Sequence, residues 1–185
     1  MPDFTLLPHP STPCAWISAL TARVDRLSQD LLVIYYRLEG DLDQLQLPPQ
    51  RRSAHADGLW KHTCFEAFLK PQGAGRYFEF NFSPSSEWAI YAFDDYRTGM
   101  RAIEPTQTPK IICRRREREL DADVDIHLSA LDLPALSQLT LALSAVLQDH
   151  SGALSYWALA HAPSKPDFHH AAGFAATLPH PIGSE

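Results

Sequence analysis

Cysteine is scarce in this chain. Its three residues, Cys14, Cys64 and Cys113, are far apart, odd in number and free of any CxxC pair. That fits reduced thiols packed as small hydrophobes in a cytoplasmic protein, and argues against a disulfide scaffold. Long apolar runs are also missing: none approaches the ~20 residues needed to span a bilayer, so no membrane segment is expected. The opening residues, MPDFTLLPHPSTPCAW, have no basic start followed by a continuous apolar stretch, which argues against a secretory signal. Catalytic signatures are missing too. There is no GxSxG, no glycine-rich phosphate loop, no HExxH and no cysteine with an evident histidine partner. Basic charge is in deficit, with a net charge of −6, which argues against a general nucleic-acid binder. The basic cluster Arg114, Arg115, Arg116 and Arg118 is interleaved or followed by Glu117, Glu119 and Asp121, the mixed charge of a solvated strand edge.

What is present reads as one globular domain over residues 1–185, with 45% hydrophobic residues, enough for a proper core. Fifteen prolines and eight glycines cut the chain into short apolar runs. Strand-like runs fall near 30–38, 64–70, 76–82, 87–94, 110–116, 122–128, 138–147 and 153–161. Their β-branched and aromatic content predicts an antiparallel β-sandwich of roughly ten strands. The stretch QDHSGALSYWAL predicts a hairpin turning on Asp149, Ser151 and Gly152. Residues 14–27 fit strand or helix, because Trp16, Leu20, Val24 and Leu27 satisfy helical spacing as well. From Leu131 to Leu147 a helix-favouring composition opposes a period of two in Leu139, Leu141, Leu143 and Ala145; the period is taken to prevail.

The segment from Trp60 to Tyr96 carries the most information. Phe78, Phe80 and Phe82 occupy one face of a strand and predict core, while Tyr77, Glu79 and Asn81 occupy the other. Around it lie loops at 41–61, 95–109 and 162–173, the kind of connection on which binding residues sit. Three constellations stand out. His62, Cys64 and Glu66 share a face and are metal-ligand types, but no second cysteine or histidine pair accompanies them, so a hydrogen-bonded His and Glu is the favoured reading. Asp167, Phe168, His169 and His170 place two histidines on opposite sides of an extended chain, one packed and one facing a pocket. Of the four tryptophans, Trp16 and Trp157 read as core, whereas Trp60 and Trp88 border turns and are available to stack on a ligand.

Taken in order, LW, HTCFEAFL, YFEFNFSPSSEWAIYAFDDYRTGM and LSYWALAHAPSKPDFHHAAGF resemble the bacterial DOMON-like proteins, from about Trp16 to Leu178. These are related to the family 9 carbohydrate-binding modules and to the haem-binding DOMON cytochromes. The resemblance implies an all-β, jelly-roll-like sandwich whose ligand is a sugar or a haem. On the sugar side it implies a non-catalytic module with no cofactor. Trp60 and Trp88 would stack on the ligand, Glu66, Asn81 and Arg97 would bond its hydroxyls, and His62, His169 and His170 would line the rim. On the haem side it implies haem b held by Met100 with His169 or His170. A third reading makes the HTCFE and DFHH residues a structural polar network with no small ligand.

Overall fold

A period of two decides the architecture, and the strand carrying three alternate phenylalanines shows it most plainly. In the computed structural model, which describes residues 3–133 and 138–178, Phe78, Phe80 and Phe82 enter the core while Tyr77, Glu79 and Asn81 face the opposite way. Burying each phenylalanine in this way contributes roughly 1.5–3 kcal/mol.

Twelve strands are formed among the described residues, and no α-helix. They are β1 (Phe4–Pro8), β2 (Ile17–Arg26), β3 (Leu31–Gly40), β4 (Cys64–Pro71), β5 (Tyr77–Phe82) and β6 (Trp88–Phe93). Then follow β7 (Arg101–Ala102), β8 (Lys110–Arg115), β9 (Glu119–His127), β10 (Leu139–Gln148), β11 (Leu154–Ala158) and β12 (Ala176–Thr177). One antiparallel layer runs β1-β2-β3-β9-β8, and the other runs β7-β6-β5-β4-β10-β11-β1, with β12 alongside β10. β1 belongs to both: its first half pairs with β2 and its last two residues pair with β11. Leu20, Ile34, Leu38, Val124 and Ile126 from the first layer meet Phe65, Phe80, Ile90, Leu141 and Leu143 from the second. The fold is an all-β antiparallel sandwich, as the alternation predicts.

The ambiguous stretch at 14–27 is strand β2, and its mixed period has a physical cause. The β2–β3 register shifts between Ile17 and Ala19, a bulge that turns both Ile17 and Leu20 inward at a spacing of three. Gly40 lies opposite this bulge, where a Cβ would stand 2.3 Å from the Trp16 carbonyl oxygen. At 131–147 the strand forms from Leu139 onward with Leu139, Leu141, Leu143 and Ala145 in the core; residues 134–137 of that stretch lie outside the described residues. The β10–β11 hairpin turns where expected. Asp149 Oδ1 accepts from Ser151 N, Ser151 Oγ and Ala153 N, and Gly152 takes φ 89°.

No helix among the described residues is long and apolar enough to cross a membrane. On β8 and β9 the mixed charges form ladders at the solvated edge, such as Arg114 to Asp123 at 2.6 Å and Arg116 to Glu119 at 2.7 Å.

The outer face of the second layer is not solvated. Phe68, Tyr77, Ala89, Tyr91, Phe93 and Ala142 form a second apolar cluster there, covered by Leu59 and Trp60 from one long loop and by Phe168 and Phe174 from another. Between these two loops the sheet stays open.

Candidate ligand-binding site

Three strands supply the floor of this opening. Glu66 of β4 lies opposite Asn81 of β5 on one side and Ser144 of β10 on the other, while Glu79 lies opposite Phe68. Strand parity therefore gathers Glu66, Glu79, Asn81 and Ser144 on one face, and the two glutamates are diagonal cross-strand neighbours. All four are buried, Glu66 to 2% and Glu79 to 5% exposure. Asn81 Nδ2 donates to Glu79 Oε1 at 2.8 Å. Glu66 Oε1 and Ser144 Oγ are buried and have no hydrogen-bond partner.

Above this floor is a cleft of about 300 Å³, walled by Trp60, Phe93, Tyr156 and Phe168 and edged by Arg97 and Met100. The Trp60 ring meets Tyr91 edge to face, with centroids 6.0 Å apart, and Tyr156 meets Phe168 the same way at 5.9 Å.

Two distant loops close the far side. Arg97 sits in a turn where Asp94 N donates to Thr98 O and Thr98 N donates to Asp95 O. Its φ of 52° is left-handed, a conformation that disfavours a side chain other than glycine. Its backbone N–H donates to the Tyr77 hydroxyl at 3.1 Å, and its guanidinium donates to Asp167 Oδ1 at 2.7 Å. The Tyr96 hydroxyl also donates to Asp167. Burial alone would raise the Asp167 carboxyl, but these two partners hold it below the usual carboxylate range.

His169 is locked in the same network. Its Nδ1 is 2.8 Å from the Tyr77 hydroxyl, and its Nε2 is 3.6 Å from Glu79 Oε2. The Tyr77 hydroxyl, which accepts the Arg97 N–H, therefore also bonds the His169 ring and ties the two loops together. Burial, with the Arg97 charge nearby, lowers the imidazole to about 4, so the ring is neutral near pH 7. The carboxyls shift the opposite way. Burial lifts Glu79 to about 7, opposed by the Asn81 hydrogen bond and by Arg97. Glu66 is raised well above the usual range by burial and then by the Glu79 charge.

Of the residues singled out in the sequence, Trp60, Glu66, Arg97 and His169 line the cleft, and so does Met100. Asn81 lies beneath it, holding Glu79. Three lie elsewhere. Trp88 shares parity with Ile90 and Ala92 and is core at 5% exposure, while Ala89, Tyr91 and Phe93 face outward. His62 is exposed and pairs with Gln148 Oε1 at 2.9 Å. His170 points away from His169 and caps the following turn, its Nδ1 accepting from Ala172 N at 3.2 Å. Period-two parity alone would have placed Glu79, Tyr91 and Phe93 on this face. Nothing in the sequence marks Tyr156 as a wall.

The solved structures add the following. Over 96% of this chain and 85% of its own, the fold matches one from Bacteroides uniformis ATCC 8492 described as a "putative carbohydrate-binding protein", at TM-score 0.69 and 15% identity. The likeness is one of fold. A family 9 carbohydrate-binding module from Caldicellulosiruptor kristjanssonii, in complex with glucose, matches at TM-score 0.49 and 11% identity, over 83% of this chain and 72% of that one. At that score the match carries no weight. No family model matches the chain, and no curated protein matches it.

The residues present do not fit a haem. His169 has Nδ1 bonded to the Tyr77 hydroxyl at 2.8 Å and Nε2 facing the buried Glu79 carboxyl at 3.6 Å, which stands where an iron would have to be. His170 spends its Nδ1 on a backbone cap.

Proposed function

We propose that this protein is a non-catalytic binding module for a carbohydrate or sugar-derived small molecule, with one ring seated in the cleft. The observation that carries this reading is Glu66: a carboxyl 2% exposed, with Oε1 unpartnered, at the base of an aromatic-walled cleft. A buried acceptor without a donor costs free energy unless a ligand supplies one. Sugar hydroxyls are such donors, and the Trp60 and Phe168 walls are aromatic surfaces of the kind that pack on the apolar side of a sugar ring. The volume of about 300 Å³ is at the small end for ligand pockets, which run from roughly 300 to 1,000 Å³, and suits one ring better than a chain. Sharing a fold with a protein described as carbohydrate-binding is in keeping with this reading.

Glycoside hydrolysis needs two carboxyls flanking the scissile bond, one of them ionised. Here Glu66 and Glu79 rise from the same sheet face, below the ligand, and both are pushed toward the protonated form. The isolated thiols at Cys14, Cys64 and Cys113 are in keeping with the cytoplasm as its setting.

A thermal-shift screen against a monosaccharide panel tests this reading. A sugar bound at about 100 times its Kd stabilises the native state by ~2.7 kcal/mol, so some member must raise the melting temperature by several degrees. Glu66→Leu must abolish that shift while leaving the fold intact. No shift from any sugar at high millimolar concentration would overturn the reading.

A further inference from the structure

The charge around the cleft is unbalanced. Three carboxyl groups line it, Glu66, Glu79 and Asp167, against one cationic side chain, Arg97. That cation is already taken by Asp167 at 2.7 Å. Tyr156 and His169 also line it, but neither brings a positive charge: the His169 ring, with Nε2 3.6 Å from Glu79 Oε2, is neutral near pH 7. The Glu66–Glu79 pair therefore has no positive partner of its own within the lining.

We infer that the cleft takes an amino sugar, with a free protonated amine set on the Glu66 and Glu79 carboxylates and its hydroxylated ring against the aromatic walls. This inference rests on the sugar-binding reading above and narrows it. An ammonium group has three donors and no acceptor, which matches a floor made of carboxylate oxygens. One donor meets the unpartnered Glu66 Oε1, and a second reaches the Glu79 carboxylate, whose Oε1 already accepts from Asn81. A neutral hydroxyl satisfies a lone pair and leaves the pair protonated, so it draws none of the charge-assisted bonding that a cation takes from ionised carboxylates. The walls suit a cation as well, because Trp60, Phe93 and Phe168 border the same space and an ammonium is attracted to an aromatic face. N-acetylation would remove both the charge and two of the three donors.

Proton release is the signature of this arrangement. The groups facing the pair are Cys64, Tyr77, Asn81 and Tyr91 from the sheet, Trp60 from one loop, Arg97 from the next, and Asp167 with His169 from the third. Burial keeps the two carboxyls protonated well above their ordinary range, so seating a cation drives a proton off. A neutral sugar does not require that step.

Isothermal titration at about pH 7 with glucosamine, glucose, N-acetylglucosamine and cyclohexylamine tests the inference, run in two buffers of different ionisation enthalpy. Glucosamine is expected to bind at least about tenfold tighter than either neutral sugar and than cyclohexylamine, with net proton release. Glu66→Gln, or Glu79→Gln if the first variant melts early, is expected to lower glucosamine affinity by at least about tenfold and glucose affinity by under about threefold. Glucose binding as tightly as glucosamine overturns the inference and leaves the sugar-binding reading standing. Cyclohexylamine matching glucosamine overturns it, because the hydroxyls would then contribute nothing. Binding of none of the four overturns both.

Discussion

The Arg97 guanidinium donates to Asp167 Oδ1 at 2.7 Å, joining residues 70 positions apart in the chain. That bond draws the turn after β6 onto the loop after β11, and the cleft exists because the two meet. Arg97 holds a left-handed backbone at φ 52° to make it. Such strain in a cleft-lining residue is what a binding role leads one to expect.

Replacing Arg97 separates its two duties. Arg97→Ala and Arg97→Gly are both expected to weaken sugar binding about tenfold or more, since each frees the Asp167 loop. Half-exposed ion pairs contribute little to stability, about 1 kcal/mol or less. The glycine variant should nevertheless be the more stable of the two by about 1 kcal/mol, because glycine adopts positive φ without steric penalty. Urea melts of both variants check this, and equal stability would contradict the strain.

The two tryptophans next to turns should behave as opposites. Trp60→Ala is expected to remove most of the binding and about 1 kcal/mol or less of stability, because Trp60 packs on the outer face. Trp88→Ala should destabilise the fold by about 3–5 kcal/mol, because it empties a core position that is 5% exposed. Calorimetric melts paired with titration distinguish them. A large stability loss in Trp60→Ala would move that residue from the ligand wall into the core.

Gly40 is a test of the bulge. An alanine Cβ there would stand 2.3 Å from the Trp16 carbonyl oxygen and 2.8 Å from the Ile17 Cα, both backbone atoms that cannot turn aside. Gly40→Ala is expected to destabilise the protein by about 2–3 kcal/mol, read as a fall in the urea midpoint at unchanged slope.

The carboxyl floor makes stability depend on pH. Glu79 is raised to about 7, so the folded protein holds a proton that the unfolded chain has released. Its cost therefore grows as the pH rises from roughly 4.3 to 7. His169, lowered to about 4, acts in the opposite sense: its contribution is complete above roughly pH 6.5 and is lost as the pH falls through about 4. Glu79→Gln keeps the acceptor for Asn81 and removes the titration. That variant should be more stable than the parent at about pH 8, by roughly 1–3 kcal/mol, with the advantage gone near pH 4. An advantage that does not change with pH would contradict the raised carboxyl.

Much of the fold was legible, for a local reason. β5 and β10 alternate, so parity assigned Phe78, Phe80 and Phe82, and Leu139, Leu141, Leu143 and Ala145, to the core. β7 and β12 have two residues each, too few to carry a period. Leu20 and Val24 of β2 face the core together, four apart, a spacing that a strand and a helix share, while Leu27 is exposed. The site was less legible. Trp60, Glu66, Arg97 and His169 do meet in the cleft, but Trp88 follows the parity of Ile90 into the core, and His62 and His170 bond to neighbours outside it. Their positions follow from loop closure, and the Arg97–Asp167 and Tyr77–His169 bonds that fix it join residues 70 and 92 apart. No local pattern records such contacts.

Ligand occupancy of the cleft is read most directly from the four tryptophan indole N–H resonances, followed by NMR as a monosaccharide is added. If the sugar sits between Trp60 and the Glu66–Glu79 floor, the Trp60 indole signal shifts and saturates, while those of Trp16, Trp88 and Trp157 hold their positions. Shifts confined to the other three, or four unmoved signals across the whole panel, would contradict the account.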